Sequence, residues 1–143
     1  MKALHFGAGN IGKGLIGYLL SKSGYEVCFV DVNQQLIDSI NKNNSYSVEL
    51  LDDNHTTETI YHVSALNSVT QEEKVIDAIV NADLITTSVG INNLSKIADV
   101  ISKGLLKRIE KNGKKIDIIA NENAINASST LKQEIEHHVS DGL

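Results

Sequence analysis

At 143 residues, with 41% hydrophobic and 22% charged side chains, the chain has the composition of one globular domain, which excludes disordered and fibrous classes. The 13 Lys+Arg against 18 Asp+Glu give a net charge of −5, and the basic residues are scattered, so a nucleic-acid partner is not expected. Cys28 is the single cysteine, no apolar run approaches ~20 residues, and the start lacks a signal-peptide pattern, so the expectation is a cytoplasmic protein without an internal disulfide or a membrane partner.

Residues 2–6 (KALHF) predict a short buried strand. Glycines follow at Gly7, Gly9 and Gly12, and Ile11, Leu15, Ile16, Leu19 and Leu20 then recur at helical spacing. Gly24 suits the left-handed residue that ends such a helix. Residues 27–30 predict a second buried strand, closed by Asp31. Asn33 stands where it can cap a helix carrying Leu36, Ile37 and Ile40, and that helix should stop in the turn-rich run 41–45.

Residues 46–51 and 57–63, rich in Val, Thr and Tyr, predict the arms of a hairpin turned at Asp52, Asp53, Asn54 and His55. Then come a helix over 72–80, a strand over 82–89, a long helix from 92 to about 111, a strand over 116–120 and a last helix over 127–139. The basic segment from Lys107 and Arg108 to Lys114 and Lys115 reads as a solvated helix end and turn. Strands alternating with helices, each strand nearly continuous in apolar residues, predict an α/β fold: a doubly wound parallel sheet with a small β-hairpin insertion, in one domain spanning 1–143.

In that setting the glycines acquire separate duties. Gly7 permits the tight turn out of the strand, Gly9 lets the backbone approach a pyrophosphate, and Gly12 allows the helix to pack closely on the strand. The helix start offers unpaired N–H groups and a positive dipole end to phosphate. A carboxylate for the ribose hydroxyls is required about 20 residues on, and Asp31 lies 19 residues after Gly12. It would repel a 2′-phosphate, so NAD is expected rather than NADP, while FAD and S-adenosylmethionine share parts of this logic.

The polar strand ends, Thr86 to Gly90 and Asn121, Glu122 and Asn123, should meet along the carboxyl edge of the sheet, where Asn121, Glu122 and Asn123 can face the reacting half of the cofactor. The plainer alternative is that Asn123 or Asn126 caps the last helix. His5, inside the first strand, reads as a packed or hydrogen-bonded interior residue. No spacing of His, Cys, Asp and Glu suggests a metal site.

The stretches KALHFGAGNIGKG, FVDVN, TTSVG, KGLLKR and NEN, in this order along essentially the whole chain, are similar to the polyol-specific long-chain dehydrogenases, and among them to the mannitol-1-phosphate 5-dehydrogenases. The resemblance implies a Rossmann domain serving the metal-free, NAD-dependent interconversion of D-mannitol 1-phosphate and D-fructose 6-phosphate. It implies a cofactor set of Phe6, Gly7, Ala8, Gly9, Asn10, Ile11, Gly12, Asp31, Asn33, Ser88, Val89, Gly90 and Asn121, with Asn123 positioning or stabilising the reacting oxygen. Lys13 departs from the arginine more usual there; the charge is kept but a bidentate phosphate contact is not.

The family's general-base lysine belongs to a helical C-terminal domain, which the resemblance places outside this chain, so the chain alone is expected to bind NAD weakly and to catalyse nothing. A related polyol or hexuronate dehydrogenase, and a non-catalytic NAD(H)-sensing module, are the alternative readings.

Overall fold

The computed structural model describes residues 1–9, 12–49, 54, 56–111, 113–122 and 126–141. In chain order the elements begin with β1 (Lys2–Phe6), a π-helical turn (Gly12–Gly17) that runs into α1 (Tyr18–Lys22), β2 (Glu26–Asp31) and α2 (Gln34–Asn43). They continue with β3 (Ser45–Glu49), β4 (Thr57–Tyr61), β5 (Val63–Asn67), α3 (Glu72–Asn81) and β6 (Leu84–Thr87). A 3-10 turn (Ile91–Asn93), α4 (Leu94–Glu110), β7 (Asp117–Ala120) and α5 (Ala127–Asp141) complete the order.

Among the described residues the main sheet has five strands in the order β5-β2-β1-β6-β7, every pair parallel, and β3 and β4 form a separate antiparallel pair. Parallel strands are covered on both faces, so their side chains alternate between two cores. Leu4, Phe6 and Val30 enter one core with Val75 and Ile79 of α3, Leu94 and Ile101 of α4, and Leu131 of α5. Ala3, Val27 and Phe29 enter the other with Leu20 of α1, Ile37 and Ile40 of α2, and Val48 and Ile60 of the antiparallel pair. This is the expected doubly wound sheet with its hairpin insertion.

Local signals are obeyed where they were strongest. Gly24 takes φ +91° after α1, and the side chain of Asn33 accepts the Leu36 N–H at 3.1 Å to cap α2. Asn44 closes α2 in the left-handed conformation at φ 51°.

The structure departs from the sequence expectation at two places. The segment 57–63 is not one hairpin arm: β4 ends at Tyr61, His62 turns the chain at φ 58°, and Val63 opens β5, which pairs with β2 in the main sheet. The basic segment is not wholly solvated either, because Arg108 is buried. Its Nη1 donates to the carbonyls of Ile79, Val80 and Ala82 at 2.7–2.9 Å, satisfying orphan acceptors at the end of α3, and its Nε donates to the Lys114 carbonyl at 2.6 Å. Of the expected hairpin turn, Asp52, Asp53 and His55 lie outside the described residues. Among the described residues no helix is long and apolar enough to cross a membrane.

Candidate functional site

From β1 the chain steps outward to β2 and β5, then returns to the opposite side of β1 with β6. The strand order therefore reverses between β1 and β6, the point where open parallel sheets bind ligands beyond their carboxyl ends. A cleft of about 660 Å³ opens there. Phe6, Gly7 and Gly9 line it from the end of β1, Asp31 and Val32 from β2, and Ser88 and Val89 from β6. The β5–α3 connection (Ser68, Val69) and α4 (Lys96, Ile97) supply its flanks.

Glycine is required at position 7 on two counts. Its φ is +107°, and a Cβ there would lie 2.6 Å from the Ser88 carbonyl oxygen. Its N–H donates to the Val30 carbonyl at 2.7 Å, which fixes the turn to β2. Gly9 is different: it is exposed, and a Cβ there would meet nothing within 4 Å, so the absence of a side chain leaves open space in the cleft rather than relieving a clash.

Asp31 sits at the lip of β2, half-buried. Its Oδ2 accepts the Ala8 N–H at 2.8 Å, and its Oδ1 accepts the N–H groups of Val32 at 2.7 Å and Asn33 at 3.0 Å. A carboxylate offers roughly four acceptor positions, so among the described residues one is left beyond these three bonds. Asn33 itself caps α2, and it is not among the residues that line the cleft.

The β6 side is held by Glu122. Its Oε1 accepts the Thr87 hydroxyl and the Val89 N–H, each at 2.9 Å, and its Oε2 accepts the Gly90 N–H at 2.8 Å. This carboxylate is therefore committed to the turn after β6, where Gly90 has φ +93°. Asn121 continues β7, its N–H bonded to the Thr87 carbonyl at 2.9 Å.

His5 and Ser88 meet behind the glycine turn, the His5 Nε2 lying 2.7 Å from the Ser88 hydroxyl oxygen. Lys13, beyond the glycine turn, donates its N–H to the Gly9 carbonyl and holds its ammonium 5.6 Å from the centre of the Tyr46 ring. The Tyr46 hydroxyl in turn donates to the Lys13 carbonyl at 2.7 Å.

Of the residues singled out in the sequence, Phe6, Gly7, Gly9, Asp31, Ser88 and Val89 share the cleft, and Ala8 and Gly90 are tied to it through Asp31 and Glu122. Gly12 opens the helical segment behind them. Asn10, Ile11 and Asn123 lie outside the described residues. The anchoring by Glu122 is not readable from any local motif.

The sequence matches the family described as the mannitol dehydrogenase Rossmann domain over residues 1–143. It is 50% identical over 135 residues to a mannitol-1-phosphate 5-dehydrogenase of Caldanaerobacter subterraneus subsp. tengcongensis, covering 94% of this chain and 35% of that protein. A mannitol-1-phosphate 5-dehydrogenase of Halalkalibacterium halodurans is 53% identical over 133 residues, covering 93% of this chain and again 35% of the relative. The chain thus spans about a third of the length of these curated relatives. Among solved structures it resembles Pseudomonas fluorescens mannitol 2-dehydrogenase in ternary complex with NAD and D-mannitol, with a TM-score of 0.82 at 11% identity, over 99% of this chain and 38% of that one. At that identity the likeness concerns the fold.

Proposed function

This chain belongs to the family of mannitol dehydrogenase Rossmann domains, and we propose that it is the NAD-binding part of an oxidoreductase that interconverts D-mannitol 1-phosphate and D-fructose 6-phosphate. The observation that carries the cofactor reading is the convergence of Gly7, Gly9 and Asp31 on one cleft at the reversal of strand order. The sugar-phosphate reading draws on the identity of about one residue in two to relatives of that name.

The residues fit a dinucleotide. The open space over Gly9 admits a pyrophosphate close to the backbone. The acceptor position that Asp31 has left among the described residues suits a ribose hydroxyl, and its charge disfavours a 2′-phosphate. Ser88 and Val89, on the β6 side, would flank the nicotinamide half. NAD, when bound, supplies the hydride acceptor.

The chain's own contribution is to bind and orient the cofactor. Asn123 is proposed to steady the substrate oxygen as it gains charge. The proton acceptor for the alcohol is proposed to come from the family's helical C-terminal domain, so that residues 1–143 alone bind NAD weakly and do not turn over. A cytoplasmic setting suits this reading.

The test is an assay of the protein, as its source cell makes it, with NADH and D-fructose 6-phosphate. Oxidation of NADH dependent on that sugar phosphate is expected. Turnover of fructuronate or tagaturonate instead would move the assignment to a hexuronate dehydrogenase, and tight, NADH-selective binding without turnover of any of them would make it a sensing module.

A further inference from the structure

Ser88 is held from inside the core. Its hydroxyl meets Nε2 of His5, while Nδ1 of the same ring lies 2.5 Å from the Thr86 hydroxyl oxygen. His5 is fully buried in β1, edge-on to Phe29, and burial pushes its pKa down to about 4, so the ring is neutral near pH 7. A neutral imidazole has one N–H and one bare nitrogen, so one of the two hydroxyls must accept and the other donate. Thr86 is buried as well and needs such a partner. Ser88 is not: it lines the cleft, where water could serve it.

The same hydroxyl stands beside the glycine turn, 3.2 Å from where a Gly7 Cβ would be. Its direction is therefore fixed at the place where the dinucleotide reading brings the cofactor past β6.

We infer that His5 is a positioning residue for the cofactor: through Nε2 it orients the Ser88 hydroxyl at the cleft wall, and so sets the hydrogen bond that Ser88 makes to a polar oxygen of the bound dinucleotide. This rests on the NAD reading above.

Asparagine and glutamine separate the two ring nitrogens. In His5→Asn the amide stands near Nδ1 and keeps the Thr86 bond; in His5→Gln it reaches the place of Nε2 and keeps the Ser88 bond. Both leave the core less well packed, so a purely structural histidine makes the two variants alike.

The experiment is calorimetric titration of this chain with NAD, with thermal unfolding followed alongside. His5→Asn is expected to weaken NAD binding about tenfold, the scale of one hydrogen bond. Ser88→Ala should match it, the double variant should lose no more, and His5→Gln should stay within about twofold of the unsubstituted chain. In ¹⁵N spectra of the unsubstituted chain NAD should shift the His5 Nε2 resonance, and in Ser88→Ala it should not.

Unaltered affinity in His5→Asn, losses in the two His5 variants that follow their unfolding midpoints alone, or an Nε2 signal indifferent to NAD would each overturn the inference while leaving the cofactor reading in place. Failure of the unsubstituted chain to bind NAD would overturn both.

Discussion

The carboxylate of Asp31 accepts the backbone N–H of Ala8 at 2.8 Å, which ties the end of β2 to the glycine turn that leaves β1. The residue read from the sequence as a ribose ligand therefore also shapes the loop on which the phosphates would rest. Asp31→Ala should weaken NAD binding by roughly 1.5–3 kcal/mol, the range for hydrogen bonds to a charged group, and should narrow the preference for NAD over NADP. Calorimetry with both nucleotides measures this. NAD affinity equal to that of the unsubstituted chain would leave Asp31 with its loop role alone.

Glu122 makes the equivalent tie on the other side of the cleft. Removing it in Glu122→Ala frees the N–H groups of Val89 and Gly90 and the Thr87 hydroxyl. A stability loss of about 1–3 kcal/mol is expected, chiefly from the buried Thr87 hydroxyl and the part-buried Val89 N–H left unmatched. Hydrogen exchange should show the Val89 and Gly90 amides losing protection together while β1 keeps its own. Protection unchanged at those two amides would contradict the anchoring role.

The packing of α3 on α4 depends on Gly104, where a Cβ would fall 2.5 Å from a side-chain carbon of Ile79. Overpacking of this kind costs typically about 1–3 kcal/mol. Gly104→Ala should therefore lower the urea midpoint with the slope of the transition unchanged, although alanine is the better helix former. A midpoint raised by the substitution would show that the helices separate freely.

Burial places the pKa of His5 at about 4 in the folded chain against 6.5 for an unperturbed histidine. Well above pH 6.5 the ring is neutral in both states and contributes no pH dependence. Between about 6.5 and 4 the unfolded chain binds a proton that the folded chain does not, so stability falls as pH falls through that window, and the contribution levels off below it. The total is on the order of 3 kcal/mol at ~1.4 kcal/mol per pKa unit. Denaturant unfolding across this range should show a shallower decline in His5→Gln than in the unsubstituted chain; equal slopes would mean that His5 titrates normally.

The parts of the fold and site legible in the sequence are those whose cause is local. Gly7 and Gly9 follow from a strand ending in a tight turn, Asp31 from its place at the end of the next strand, and the Asn33 cap from the residue type just ahead of a helical pattern. β5 escaped because Val63 continues the β-rich run of β4, and only the left-handed turn at His62 separates a hairpin arm from a strand of the main sheet. The charge of Arg108 points to solvent, yet its carbonyl partners in and after α3 lie 26–29 residues away. Glu122 reaches donors 32, 33 and 35 residues back in the chain, a distance at which no spacing rule operates.

Amide NMR of this chain during titration with NAD tests the cofactor site most directly. NAD should shift the amides of Gly7, Gly9, Val32, Ser88 and Val89 around the carboxyl-edge cleft. A second cavity, of about 570 Å³, opens at the opposite edge of the sheet beside Lys2, Glu26, His62 and Asn81. Shifts confined to that edge, or none at saturating NAD, would contradict a dinucleotide site at the reversal of strand order.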